Sequence, residues 1–297
     1  MTLLDEPEIG CWINCVAPKD EDLDLLISKF NVNPDFLRAS IDDEETSHID
    51  FEDGETLIIM NIPFVEKLEG DIVYDTVPLG MMVNENNVIT VCIKDTPILA
   101  EFEDGAVKNV NTSFKTQFIL FIMLKIASKY LQYLKQIDKI SYYAEKELRK
   151  SMRNKELIDL LEVQKSLVYF SSSLKANEAT LEKIMRGRVL KLYEEDQDLL
   201  DDVLIEIRQA IEMSSIYLNI LSGTMDAYGS VISNNLNIVM KILASITLII
   251  SIPTVISGIY GMNVDNIPYS GNFWFPIILS VILMAISAIV LRNKRML

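Results

Sequence analysis

The sequence predicts an α+β membrane protein: an N-terminal α/β/α cytoplasmic domain, a long helical stalk and a two-helix transmembrane hairpin near the C-terminal end. Three observations carry this reading. Residues 1–110 alternate short apolar runs with turn signals. From Thr112 onward the chain runs for long stretches almost without Gly or Pro. Residues 242–291 then hold a single charged side chain, Asp265.

In the first region the strand candidates are Cys11–Val16, Thr56–Pro63, Ile72–Pro78, Gly80–Asn84 and Val88–Ile93, with turns at Asp53-Gly54, Glu69-Gly70 and Glu85-Asn86-Asn87. Such hairpin spacing predicts a mostly antiparallel sheet. Helices over Glu21–Phe30, Asp35–Ser40 and Ile98–Glu103 are expected to cover its faces. Phe114–Arg149 and Met152–Arg186 read as an antiparallel helix pair joined near Lys150–Asn154, with Gly187 as the stop. A third helix is expected to start near Tyr193 and to run without a loop signal into the first apolar block. From Glu194 to Tyr260 it would be roughly 100 Å long at 1.5 Å per residue.

The apolar blocks are Ile242–Tyr260 and Phe273–Leu291. Each is about the 20 residues that cross a bilayer core, and neither carries the polar face of a soluble amphipathic helix. Lys241 precedes the first block, and Arg292, Lys294 and Arg295 follow the second, whereas the connecting GMNVDNIPYSGN has no Lys or Arg. The positive-inside rule places both termini in the cytoplasm and the connection outside, with Trp274 and Tyr269 at the outer interface. The opening MTLLDEPEIG is acidic and lacks an apolar core, so no cleavable signal is expected.

Net charge is −16. Residues 1–60 hold 16 acids against three bases, which argues against nucleic acid or anionic lipid headgroups as partners and enriches cations nearby. Cys11, Cys15 and Cys92 lack metal-ligand spacing, and a single His cannot complete a zinc set. They read as free thiols in a reducing compartment. With no nucleophile–base pair and no cofactor loop, an enzyme is not expected. The sole histidine, His48, reads as a surface or hydrogen-bonded residue at a strand start.

A polar stripe is the most informative feature of the long helix. Asp226, Ser230, Ser233 and Asn237 follow each other by four, three and four residues, which puts them on one face. The same face continues through Met240, Ala244 and Leu248 into the apolar block. Two spans cannot enclose water alone, but several copies around an axis can, each first span lining the path. The same spacing also fits a coiled-coil seam with polar register-setting residues. The apolar blocks contain no carboxylate, His or Lys of the kind that marks proton coupling, and no phosphate-binding loop is present. Passive conduction remains. Asn and Ser suit an ion that keeps its water, as Mg²⁺ does; Co²⁺ and Ni²⁺ share its size and hydration.

At the end of the first block stands Tyr260-Gly261-Met262-Asn263, followed by a short connection, a second block and a basic tail. This resembles the CorA family of Mg²⁺ channels, in motif and in the layout of the whole chain. The resemblance implies a homo-oligomer, a pentamer, in the cell membrane. Its outer mouth would be Gly261, Met262 and Asn263, with Asn263 the first contact for hydrated Mg²⁺. Asn237 falls at the family's inner Asn ring, Asp226 at a cytoplasmic entrance acid, and Met240 and Leu243 at the apolar gate. The tail Arg292, Lys294 and Arg295 resembles the family's basic ring, although a positive-inside anchor reads the same. The implied partition is a domain at 1–110, a stalk at 111–236, a pore-lining span at 237–263, an external loop at 264–272, a second span at 273–291 and the tail at 292–297.

The family also binds Mg²⁺ as a regulator, at carboxylates between neighbouring subunits, and bound ions close the pore. Asp202 matches the long-helix member of that site. The N-terminal member departs: the chain reads Leu37-Arg38-Ala39-Ser40, with Asp42, Asp43 and Glu44 one turn later, and Glu206 stands where a His is expected. A substitute site of Asp202, Glu206 and Asp42 or Asp43 is one expectation, and weaker or absent feedback the other. The rival functions are the related Zn²⁺-transporting ZntB branch, which usually carries Ile where Met262 stands, and a non-conducting coiled-coil scaffold tethered to the membrane.

Overall fold

The computed structural model describes residues 10–68, 71–108, 110–151, 154–187, 190, 192–263, 267–269, 271–294 and 296. The chain divides into two compact units, Met1–Gly223 and Thr224–Leu297.

The first unit is built on a five-stranded sheet in the order β1-β5-β4-β3-β2, comprising β1 (Trp12–Val16), β2 (His48–Glu52), β3 (Glu55–Leu68), β4 (Asp71–Val83) and β5 (Val88–Cys92). All pairings are antiparallel except β1 with β5. Helices α1 (Asp20–Phe30) and α2 (Pro34–Ile41) cover one face, where Leu26, Val32, Phe36 and Leu37 pack with Leu57, Ile59, Met82, Ile89 and Val91. Helices α3 (Pro97–Glu103), α4 (Lys115–Ser151) and α5 (Asn154–Met185) lie on the other side. There Trp12 packs edge-on against Phe118 at 5.3 Å, and Tyr130 against Phe170 at 5.1 Å. The α/β/α expectation therefore holds. β3 is buried on both faces, which is why its centre reads as the unbroken apolar run Leu57–Met60.

Two expectations are corrected. Ile72–Pro78 and Gly80–Asn84 are one strand, β4, rather than two. The proline that argued for a break is tolerated for a reason visible in the register. Gly80 pairs with Val91 and Leu79 with Cys92, where β5 ends, so on the β5 side Pro78 has no ladder partner, although it pairs with Asn61 of β3 on the other. Second, His48–Glu52 forms an edge strand that periodicity does not announce. It is held by the two-residue turn Asp53-Gly54, whose φ values are +50° and +83°, as a tight hairpin requires. The Glu69-Gly70 turn lies outside the described residues.

Gly80 has a packing role as well. A Cβ there would lie 2.0 Å from Ser40 Oγ, so α2 can rest on β4 only at a glycine. Burial pushes the Cys15 and Cys92 thiols up to about 11, which keeps both protonated and unreactive.

A polar knot ties the sheet to the helix pair. β2 ends at His48 opposite Ile59, so Asn61, two residues further along β3, has no strand partner on that side. Asn177 of α5, 0% exposed, takes the strand's place: its Oδ1 accepts from Asn61 N at 3.0 Å and its Nδ2 donates to Asn61 O at 2.8 Å. Tyr130 Oη donates to the same carbonyl at 2.8 Å, and Ser47 Oγ donates to Asn177 Oδ1. Asn177→Leu keeps the volume but removes one of two partners from Asn61 N and from Asn61 O, which keep Ser47 Oγ at 3.0 Å and Tyr130 Oη at 2.8 Å, at a cost of about 1–3 kcal/mol. A clear fall in the thermal midpoint of the first unit, followed by near-ultraviolet circular dichroism, is expected. An unchanged midpoint would show that the knot contributes nothing.

Helix α6 (Glu194–Tyr260) contributes residues to both units, and α7 (Trp274–Asn293) belongs to the second. The division at Gly223 falls inside α6, upstream of the stalk boundary expected at 236.

Candidate ion pathway

In the second unit α6 carries the sequence stripe on one face, and that face is bare in the single chain. Asp226, Ser230, Ser233 and Asn237 are all exposed. At 100° per residue, Met240, Ala244 and Leu248 continue within about 60° of Asn237, whereas Leu243 lies about 120° round, on the flank beyond Met240. Met240 is 55% exposed and Leu243 57%. From Val231 to Ile259, exposed Val, Ile, Leu and Met side chains surround the helix. Among described residues 224–263 only Ser245 and Ile256 are buried. A helix this apolar and this open presents the kind of surface that a membrane span presents to hydrocarbon.

Three hydroxyls in the apolar part are neutralised locally. Thr247 Oγ1 donates to Leu243 O at 2.8 Å, Ser251 Oγ to Leu248 O at 2.8 Å and Ser280 Oγ to Pro276 O at 2.6 Å. Such back-bonding lets a hydroxyl sit in hydrocarbon without an unmet donor. Pro253 sits inside α6 without ending it, as neighbouring structure permits in membrane helices.

The helix stops at the motif. Gly261 N donates to Ser257 O at 2.9 Å and Met262 N to Ile259 O at 3.3 Å, tightening the last turn. A Cβ on Gly261 would approach Ser257 O to 3.0 Å, so glycine lets the turn close. Gly261, Met262 and Asn263 are exposed beyond it. Tyr260 Oη reaches across the connection to donate to Pro268 O at 3.1 Å, and Tyr269, at φ +58°, stacks on Phe275 with centroids 4.7 Å apart. Asn272 Oδ1 accepts from Trp274 N at 3.1 Å and so starts α7. Phe273 and Trp274 are exposed there, as an aromatic belt would be. Residues 264–266, with Asp265, lie outside the described part.

At the opposite end Lys241, Arg292 and Lys294 are exposed, and Arg295 lies outside the described residues. In the first unit Asp202 and Glu206 sit one turn apart on α6, Asp202 exposed and Glu206 half-buried. Asp42 caps α2 and accepts from Glu44 N at 3.1 Å, and Asp43 is exposed. These four are not drawn together: among the described residues no three His, Cys, Asp or Glu side chains are placed to hold a metal ion. Two contacts escaped sequence reading, Tyr260 with Pro268 and Ser245 with Met296. The second joins residues 51 apart, beyond the reach of any local signal.

Two helices long and apolar enough to cross a membrane, the first carrying a polar face to a YGMN terminus, together with an α/β/α domain and the family match, make this a membrane transporter of divalent cations, not an enzyme. The chain belongs to the CorA-like Mg²⁺ transporter protein family, whose model matches residues 8–293. It is 29% identical over 290 residues to the cobalt/magnesium transport protein CorA of Methanocaldococcus jannaschii, covering 95% of this chain and 90% of that one. The complete structure of the CorA magnesium transporter from the same organism matches with a TM-score of 0.81 at 26% identity, over 95% of this chain and 89% of that one. The cytoplasmic domain of ZntB from Vibrio parahaemolyticus shares the fold at 13% identity, with a TM-score of 0.58 over 76% of this chain and 87% of that one.

Proposed function

We propose that this chain assembles as a homo-oligomer, a pentamer by family resemblance, into a passive Mg²⁺ channel of the cell membrane that also admits Co²⁺ and Ni²⁺. Both termini are cytoplasmic. The observation that carries the reading is the bare face of α6, on which Asp226, Ser230, Ser233 and Asn237 lead into the apolar segment that ends at Gly261-Met262-Asn263. Copies arranged about an axis with this face inward enclose a path whose polar groups accept hydrogen bonds from the ion's water without stripping it. Asn263 selects at the outer mouth, Asn237 passes the ion on, and Met240 with Leu243 closes the path by excluding water.

The membrane potential is a sufficient drive. At about 2.3 kcal/mol per charge per 100 mV, a divalent cation gains about 4.6 kcal/mol on entry. Cytoplasmic Mg²⁺ closes the channel from a site made by Asp202 and Glu206 of one subunit with Asp42 or Asp43 of its neighbour. The separation of these carboxylates within one chain is compatible with a site that only assembly completes. Met262 supports Mg²⁺ over the Zn²⁺-transporting branch.

The test is thiol accessibility along α6, with Cys11, Cys15 and Cys92 changed to Ala. Single cysteines at Ser230, Ser233 and Asn237 are expected to react with a charged thiosulfonate and to lose influx. Cysteines at Asn235 and Val239, on the far side of the helix, are expected to stay functional. Equal reactivity on both sides would remove the pore assignment.

A further inference from the structure

Ser245 behaves unlike Thr247, Ser251 and Ser280 of the apolar helices. Thr247, Ser251 and Ser280 each donate to a carbonyl of their own helix. Ser245 donates instead to Met296 O at 3.0 Å, in the C-terminal tail. It is 0% exposed on a helix whose neighbouring positions are nearly all open. The tail is shaped to receive it: Lys294 N donates to Val290 O and Met296 N to Leu291 O, both at 3.0 Å, so the chain curls past the end of α7. Ser245 lies one turn beyond Lys241 and five residues, about 7 Å, beyond Met240 along the axis.

We propose that Ser245 is a positioning residue: its hydroxyl latches the tail to α6 and fixes Lys294, just past the end of α7, so that with Arg292 of the helix it forms a collar of positive charge at the cytoplasmic mouth. The collar rests on the pore reading above; the latch does not. In hydrocarbon a serine that gives up the bond to its own helix needs another acceptor, and the Met296 carbonyl is that acceptor. Fixed cations at a narrow mouth oppose a departing divalent ion, and salt screens that opposition. On a loose tail Lys294 is free to move into solvent and opposes the ion less. The latch thus sets how strongly the mouth resists flow.

Two readouts on the full chain in proteoliposomes test this. The first is a nitroxide on Met296→Cys with the native cysteines changed to Ala, which leaves the accepting carbonyl in place. The label is expected to be immobile with Ser245 or Ser245→Thr and mobile with Ser245→Ala. Equal mobility in all three overturns the latch. The second is Mg²⁺ influx at low ionic strength, expected to rise severalfold in Ser245→Ala, to stay at the wild-type value in Ser245→Thr, and to rise no further when Lys294→Gln is added. Full additivity of Ser245→Ala and Lys294→Gln overturns the collar. No influx from any variant overturns the pore reading instead, and the label contrast still decides the latch.

Discussion

Asn263→Ala is expected to abolish Mg²⁺ influx while leaving assembly and folding intact. The side chain stands exposed past the end of α6, where Gly261 and Met262 have closed the last turn, and among the described residues no hydrogen bond depends on it. Its removal therefore costs the fold little. In the proposed oligomer each copy would supply one amide to the ion's water shell, worth about 1 kcal/mol net. Several such amides around one ion make the expected loss a few kcal/mol, which at 1.4 kcal/mol per tenfold is roughly a hundredfold or more in flux. Influx at the wild-type rate from this variant would remove Asn263 from the mouth. Size-exclusion profiles of the two proteins should coincide.

The second large effect is expected at the apolar constriction. Met240 is exposed on the flank of the stripe, one turn after Asn237, where the proposed path changes from amide and hydroxyl groups to hydrocarbon. A hydrophobic ring closes a narrow path by making it unfavourable for water to enter. Met240→Asn replaces an apolar side chain worth about 2 kcal/mol of burial with one that holds water, in every copy. Influx measured with high Mg²⁺ on the cytoplasmic side is expected to rise by about tenfold or more, because closure no longer dries the path. If cytoplasmic Mg²⁺ suppresses the variant as fully as the wild type, the constriction lies elsewhere.

Much of the architecture was legible because it is written in local patterns. α4, α5 and α6 follow from long stretches almost without Gly or Pro, and α7 from an apolar block with a basic flank. The stripe on α6 was legible for the same reason, since spacings of three and four put residues on one face whatever surrounds them. β2 was legible only as a strand start at His48 and not among the strand candidates, because HIDFE lies at the sheet edge with no buried alternation and its pairing is set by the Asp53-Gly54 turn. β4 was split in two because Pro78 looks like a breaker until the register shows that β5 has ended opposite it. Ser245 and Asn177 were invisible as sites: each bonds to a backbone group far away in sequence, and nothing in composition announces such a partner. The regulatory carboxylates were legible as candidates only, because within one chain they are not gathered.

The most direct test of the central claim is Mg²⁺ influx into proteoliposomes holding the full chain and a lumenal chelator, with an inward-negative potential imposed and no nucleotide or proton gradient. Wild type is expected to take up Mg²⁺ at a rate that grows with the potential, and Asn263→Ala, measured beside it, to take up none. Absence of influx from well-folded wild-type oligomers at every potential would contradict the channel and return the Zn²⁺ transporter and the tethered scaffold to consideration.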